Sequence, residues 1–243
     1  MSFVIGDLKI IFLIGFLVFI HEGAHFLIAK KSGVKVLEFS LGFGKKIWSK
    51  KGEETEYFIR MIPLGGYVRM LGEEEDVEDE RAFKNVSCWK RLAIVFAGPI
   101  INIFFGLLLF WVLASIYNKS PYAGLIVTKR YLAMLFQSIV GLFSGKAKAG
   151  VVGPVGISSM IVNTSGWFDF FYLMAIISVS LGVTNLLPIP GLDGGKIVLI
   201  IIEMIRRKKV SEDTELKLTA LGMLLLLTIA IFVTMNDVGN LFK

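Results

Sequence analysis

From Phe3 to Ala29 the chain is apolar for long enough to cross a bilayer, and both of its histidines, His21 and His25, fall inside that run. Ionisable groups at membrane depth are costly and usually serve function, so a span that carries them has to face a polar centre built with other spans. Three further apolar stretches supply those partners. They are Leu92–Tyr117, Phe168–Leu187 with a continuation through Lys196–Ile205, and Leu218–Val233, each near the ~20 residues that a crossing helix needs. The expected fold class is membrane α, a polytopic helical bundle of about four transmembrane spans. A hydrophobic fraction of 55% and a mean hydropathy of +0.71 agree with it. The first span is expected to be retained rather than cleaved, because Asp7 and Lys9 replace a basic leader and no small-residue cleavage site follows.

The two histidines stand in the string H-E-G-A-H. On a helix, positions i and i+4 project from one face a turn apart, so His21 and His25 can offer ring nitrogens to a single metal ion while Glu22 lies beside the open coordination position. A metal there lowers the pKa of water to about 7 and polarises a carbonyl. Glu22 would be the base that takes the proton from the attacking water. On a soluble helix such a string is a modest signal, as readily an accident as a metal site; depth in the membrane weighs for function.

A catalytic zinc normally keeps three protein ligands. Asp193 is the only carboxylate between Asp169 and Glu203, and it stands in N-L-L-P-I-P-G-L-D-G-G (Asn185–Gly195) after an apolar stretch. Pro188 and Pro190 interrupt a helix there, and Gly191, Gly194 and Gly195 permit a tight turn. Irregular backbone at this depth is tolerated where it lines a wet cavity or is buried in protein. The lesser alternative, on local turn chemistry alone, is that Asp193 is a turn residue or a cap for the next helix.

Taken together, H-E-G-A-H in the first span and N-L-L-P-I-P-G-L-D-G-G in a later one resemble the site-2 protease family of intramembrane zinc metalloproteases. The likeness is greatest to its bacterial RseP-type branch. F-A-G-P-I-I-N (Phe96–Asn102) resembles that branch's second-span motif, G-G-Y-V-R-M-L-G-E (Gly65–Glu73) its membrane-associated β-loop, and V-G-P-V-G-I (Val152–Ile157) the segment before its third span. The resemblance implies His21, His25 and Asp193 as ligands of Zn2+, Glu22 as general base, and Asn185 with Pro188 and Pro190 in the substrate-binding wall.

Basic residues give an orientation. Lys30, Lys31, Lys35, Lys45, Lys46, Lys50 and Lys51 follow the first span, Lys90 and Arg91 precede the second, and Arg206–Lys209 precede the last. By the positive-inside rule these loops are cytoplasmic and both termini lie outside; Lys119, Lys129, Arg130, Lys146 and Lys148 on the opposite side dilute the bias. The net charge of +6 then fits anionic lipid rather than nucleic acid, for which no motif is present. Within the first cytoplasmic loop, Val36–Phe43, Lys46–Lys51, Glu56–Ile62 and Tyr67–Leu71 have strand character. A small membrane-associated β-sheet is expected there, with Gly66, Tyr67 and Val68 presented to substrate by strand addition, or else as a plain structural hairpin. Glu73–Asp76 and Glu78–Glu80 read as a solvated acidic loop, and Cys88, the single cysteine, as a packed thiol.

The chain reads as one intramembrane metalloprotease domain over 1–243, with residues 30–91 as the cytoplasmic β-loop region and 118–167 as an external loop with amphipathic helices at Tyr131–Phe143 and Val151–Val162. RseP-type enzymes usually carry PDZ domains between the second and third spans. Here S-P-Y-A-G-L (Ser120–Leu125) resembles the start of one and is followed almost at once by sequence resembling its exit, so the domain is missing by loss or deletion. The implied activity is a zinc endopeptidase of the bacterial inner membrane that cuts spans of single-pass proteins, such as anti-sigma factors or leftover signal peptides. The alternative is a non-proteolytic metal-binding membrane protein or zinc transporter, against which the base at Glu22 argues.

Overall fold

The computed structural model describes residues 2–73, 75, 77–143 and 154–241. Helix α1 (Ser2–Lys31) leads into two long strands, β1 (Val36–Lys51) and β2 (Glu56–Met70), followed by α2 (Cys88–Tyr117), α3 (Pro121–Phe143), α4 (Pro154–Val162), α5 (Trp167–Asn185), α6 (Asp193–Arg206) and α7 (Glu212–Leu241). Four of these, α1, α2, α5 and α7, are long and apolar enough to cross a membrane. The protein is a polytopic helical bundle with a small sheet.

Helix α2 is the hub, in contact with α1, α3, α5 and α6. Its approach to α5 is close because glycines face backbone. A Cβ on Gly182 would stand 2.6 Å from the Pro99 carbonyl oxygen, and one on Gly106 would stand 2.7 Å from that of Ala175. In lipid, where apolar surface gains nothing by leaving the solvent, such small-residue packing and interhelical hydrogen bonds hold helices together. Ser178 Oγ supplies one such bond, donating to the Asn102 carbonyl at 2.7 Å. Nearer the basic end, buried Arg91 on α2 is ion-paired to buried Glu203 on α6. Apolar clusters flank the middle of α1 along its length, with Leu13, Leu17, Phe170 and Met174 on one side and Ala29, Val34, Ile94 and Ile200 on the other.

The four expected strand segments are joined into two bent strands. Glu38–Leu41 is flanked on both sides, by Gly66–Arg69 and by Glu56–Ile59, and Lys46–Lys51 pairs with Glu56–Arg60. β1 bends without ending because Gly42 holds φ +85°, at a point where any Cβ would lie 2.6 Å from the Ile62 carbonyl oxygen. The stretch Gly66–Met70 pairs on one side only among the described residues, which leaves it an edge. Apolar side chains Phe43, Ile47, Trp48, Met61 and Ile62 are exposed at the far end of the sheet.

The region between α2 and α5 differs from expectation. A helix was expected from Tyr131, lying against the membrane; α3 instead begins at Pro121 and folds back on α2, with Phe110 and Tyr131 stacked at 4.6 Å. The short turn Asn118–Ser120 leaves no other course, since a brief connection forces antiparallel neighbours. Of the expected helix Val151–Val162, the part from Pro154 is α4, which packs on α1 and α7; residues 151–153 lie outside the described residues.

Candidate metal centre

His21 and His25 project from one face of α1, and both are buried. Asp193 is the first residue of α6, aimed by the loop that ends α5. Gly194 has to lack a side chain there, because a Cβ would lie 2.1 Å from the Leu187 carbonyl oxygen. Three atoms converge as a result. His21 Nε2 stands 3.0 Å from Asp193 Oδ2, His25 Nε2 stands 3.4 Å from the same oxygen, and the two nitrogens are 3.2 Å apart. Tetrahedral ligands with zinc bonds of about 2.0–2.1 Å stand roughly 3.3–3.4 Å apart, so the triangle is already close to the size a zinc ion needs.

The surroundings support that fit. His25 Nδ1 donates to the Ile94 carbonyl at 2.8 Å; a carbonyl only accepts, so the Nε2 lone pair of neutral His25 is left for a metal. Gly98 backs the two imidazoles, and a Cβ there would intrude to 2.3 Å from His25 Nε2 and 2.7 Å from His21 Nε2. The next turn of α2 places the fully buried Asn102 amide 3.3 Å from His21 Nδ1.

Two cavities meet at this centre. One, of about 280 Å³, is lined by His21, His25, Asp193, Tyr67, Val68 and Lys196, among others. The second, of about 220 Å³, is walled by Val18, Leu181, Asn185 and Leu192. Glu22 and Gly66 line both. The edge stretch of β2 is therefore pressed against α1 at the base candidate, and a Cβ on Gly66 would lie 3.0 Å from Glu22 Cγ. A larger cavity of about 790 Å³ lies along α1 and α2, lined by Phe19, Leu27, Ile100 and Phe104 among others. It contains none of the three ligands, so volume does not locate the chemistry.

The sequence profile of Peptidase family M50 matches residues 9–229, nearly the whole chain. The chain belongs to peptidase family M50. It is a membrane metallopeptidase of the site-2 protease type, and its metal is zinc. The M50 chain is 30% identical to a protein of Clostridium acetobutylicum provisionally named a zinc metalloprotease, over 92% of this chain and 94% of that one. Similar matches, likewise to provisionally named zinc metalloproteases, come from Fusobacterium nucleatum (27% identical; 95% and 98% covered) and Campylobacter jejuni (26%; 96% and 93%). The first alignment extends over 320 positions, against 243 residues here, so that relative carries residues this M50 chain does not.

Of the residues singled out from the sequence of this M50 peptidase, His21, Glu22, His25, Asp193, Asn185, Gly66, Tyr67 and Val68 all line the two cavities. Pro188 and Pro190 line neither; they shape the loop, and the Pro190 carbonyl packs on Gly222 of α7. Glu73 was read as part of a solvated loop, yet it lines the metal-centre cavity, accepts a bond from the Met70 amide and holds Lys196 Nζ at 2.5 Å. That ion pair ties the end of the edge strand to the helix that starts at Asp193. Glu74 and Asp76 of the same loop lie outside the described residues. Gly98 and Asn102 enter the sequence reading only within F-A-G-P-I-I-N. A usable signal was present, because an asparagine inside an apolar span with glycines at i−4 and i+4 marks a face in close contact with protein.

Proposed function

We propose that this M50 peptidase cuts membrane-spanning segments of single-pass proteins, such as anti-sigma factors or leftover signal peptides, with Glu22 as general base and His21, His25 and Asp193 as the zinc ligands. The observation that carries the reading is the position of Glu22, beside the ligand triangle and against the open strand edge at Gly66. A substrate in extended form can pair with Gly66–Met70, as strand addition requires, and lay its backbone across the ligand triangle with side chains on either side. The Asn185 side of that path adds Val18, Leu181 and Leu192 to the polar groups, and the Tyr67–Lys196 side is the more polar.

Zinc, when bound, polarises the scissile carbonyl and makes water nucleophilic near neutral pH. Glu22 takes the proton of the attacking water and delivers it to the amine that leaves. The strand edge replaces hydrogen bonds that the substrate helix gives up on unwinding, each of which would otherwise cost several kcal/mol in lipid.

Lys30, Lys90, Lys84 and Lys209 gather at one end of the bundle, through bonds to Glu54, Ser32, Glu212 and Asn85 respectively. By the positive-inside rule we place that end in the cytoplasm, with both termini of the bacterial inner-membrane protein outside. The product is then released inward. We infer that residues 118–167 hold no PDZ domain; among the described residues this stretch forms α3 and α4. Substrates then reach the site without selection by a domain between α2 and α5.

The test is cleavage of a single-span substrate containing helix-breaking residues by the purified protein in detergent. A chelator and Glu22→Gln should each abolish it while substrate capture persists. Zinc binding without cleavage, under conditions where a relative cleaves, would favour a transporter or a metal-binding protein instead.

A further inference from the structure

We propose that Asn102 is a positioning residue that, by turning its amide, supports His21 in the tautomer whose Nε2 is available to zinc. The proposal rests on the metal-centre reading above. Asn102 is fully buried on α2, between Gly98 and Gly106 one turn either way, and its side chain reaches His21 Nδ1. In the structure Nδ2 faces that nitrogen at 3.3 Å, and Oδ1 is buried with no hydrogen-bond partner among the described residues.

An amide nitrogen only donates. With Nδ2 toward His21, Nδ1 has to accept, and the proton of the neutral ring sits on Nε2, the atom 3.0 Å from Asp193 Oδ2. A ring in that tautomer cannot ligate through Nε2. Turning the amide by 180° exchanges two atoms of nearly equal size, puts Oδ1 on His21 Nδ1–H, and frees the Nε2 lone pair. Each orientation leaves one amide atom without a partner, but only the first lets His21 Nε2–H reach Asp193 Oδ2, so the metal-free site prefers it and bound zinc, which takes the Nε2 lone pair, favours the turned amide. His25 has no such choice, since Ile94 offers only a carbonyl. The two ligands are thus held differently, one by a fixed acceptor and one by a group that can reverse.

An asparagine fits this task where other residues do not. Leucine fills similar space and offers no acceptor, whereas aspartate keeps an acceptor on the ring in either orientation. The orienting partners of metal-bound histidines typically contribute 10–100-fold in metal affinity.

Zinc affinity is measured by competition with a chromophoric chelator for wild type, Asn102→Leu, Asn102→Asp and Ser178→Ala, with thermal unfolding of each chelator-treated protein alongside. Asn102→Leu should bind zinc about 10–100-fold more weakly, and Asn102→Asp should stay within a few-fold of wild type. Ser178→Ala removes the α2–α5 bond to the Asn102 backbone and leaves the amide in place, so it should lower thermal stability without changing zinc affinity. Nitrogen-15 spectra of the zinc-loaded wild type should show His21 protonated at Nδ1. Equal affinity for wild type and Asn102→Leu, or a His21 that ligates through Nδ1, overturns the role of Asn102. If instead His21→Ala binds zinc as wild type does, the metal-centre reading itself fails, which is a separate result.

Discussion

Helices α2 and α7 are each 30 residues long and each apolar enough to span a membrane, yet they meet the rest of the protein differently. In the most apolar stretch of α2, 39% of residues are buried in the protein; in that of α7, 6% are. Overall hydropathy therefore does not tell which span builds the centre. What separates them is the pattern of small and polar residues. Gly98, Asn102 and Gly106 give α2 one face that admits the two imidazoles and α5. α7 meets the site loop where Gly222 lies under the Pro190 carbonyl, while Leu216, Leu221, Leu224, Leu225 and Leu227 are exposed.

That contrast predicts a ranking of substitutions. The largest effect belongs to the chemistry that the packed half holds. Glu22→Gln should lower turnover by roughly two to four orders of magnitude, the range for losing a general base, with zinc content unchanged. Turnover within a few-fold of wild type would remove Glu22 from the mechanism. Next is Gly98→Ala, whose Cβ meets both ligand nitrogens; bound zinc should fall about tenfold or more, as assayed by metal analysis. An equivalent change on the outward face, Leu224→Ala in α7, should leave zinc and cleavage unaltered. If the two glycine and leucine variants behave alike, the distinction between the helices is wrong.

Glu203→Ala would leave Arg91 buried without its partner and should destabilise the α2–α6 contact by about 3–5 kcal/mol, read by chemical denaturation. The smallest effect concerns the sheet. Glu54 accepts a hydrogen bond from Lys30 and lies 2.6 Å from Arg81, and the Lys30 bond foremost holds its carboxyl below the ordinary carboxylate range. A carboxylate with a lowered folded pKa contributes stability above its unfolded value, about 4.3, and loses it as pH falls through the folded value. Glu54→Gln should therefore cost up to about 1 kcal/mol at neutral pH for this partly exposed pair, with the difference from wild type vanishing in acid.

Much of this was legible in the chain. The four spans follow from run length, and H-E-G-A-H with the Pro/Gly-interrupted L-D-G announces three groups that the fold brings within hydrogen-bond distance of one another. Gly66, Tyr67 and Val68, expected to meet substrate, line the cavity at the centre. The parts that could not be read depend on long-range approach. Strand character in four short segments does not reveal that Gly42 lets one strand bend through, and an acidic run does not reveal that Glu73 meets Lys196 far along the chain. The fold-back of α3 on α2 follows from a turn too short to lead elsewhere, and its amphipathic pattern suggested only a surface.

The claim on which everything depends is that His21, His25 and Asp193 hold one zinc. Zinc K-edge absorption on the purified protein, paired with metal analysis of Asp193→Ala, tests it most directly. About one zinc per chain is expected, with two imidazole nitrogens and a carboxylate oxygen at about 2.0–2.2 Å, and loss of most of the metal in the variant. An unchanged zinc content and an unchanged ligand shell in Asp193→Ala would contradict it.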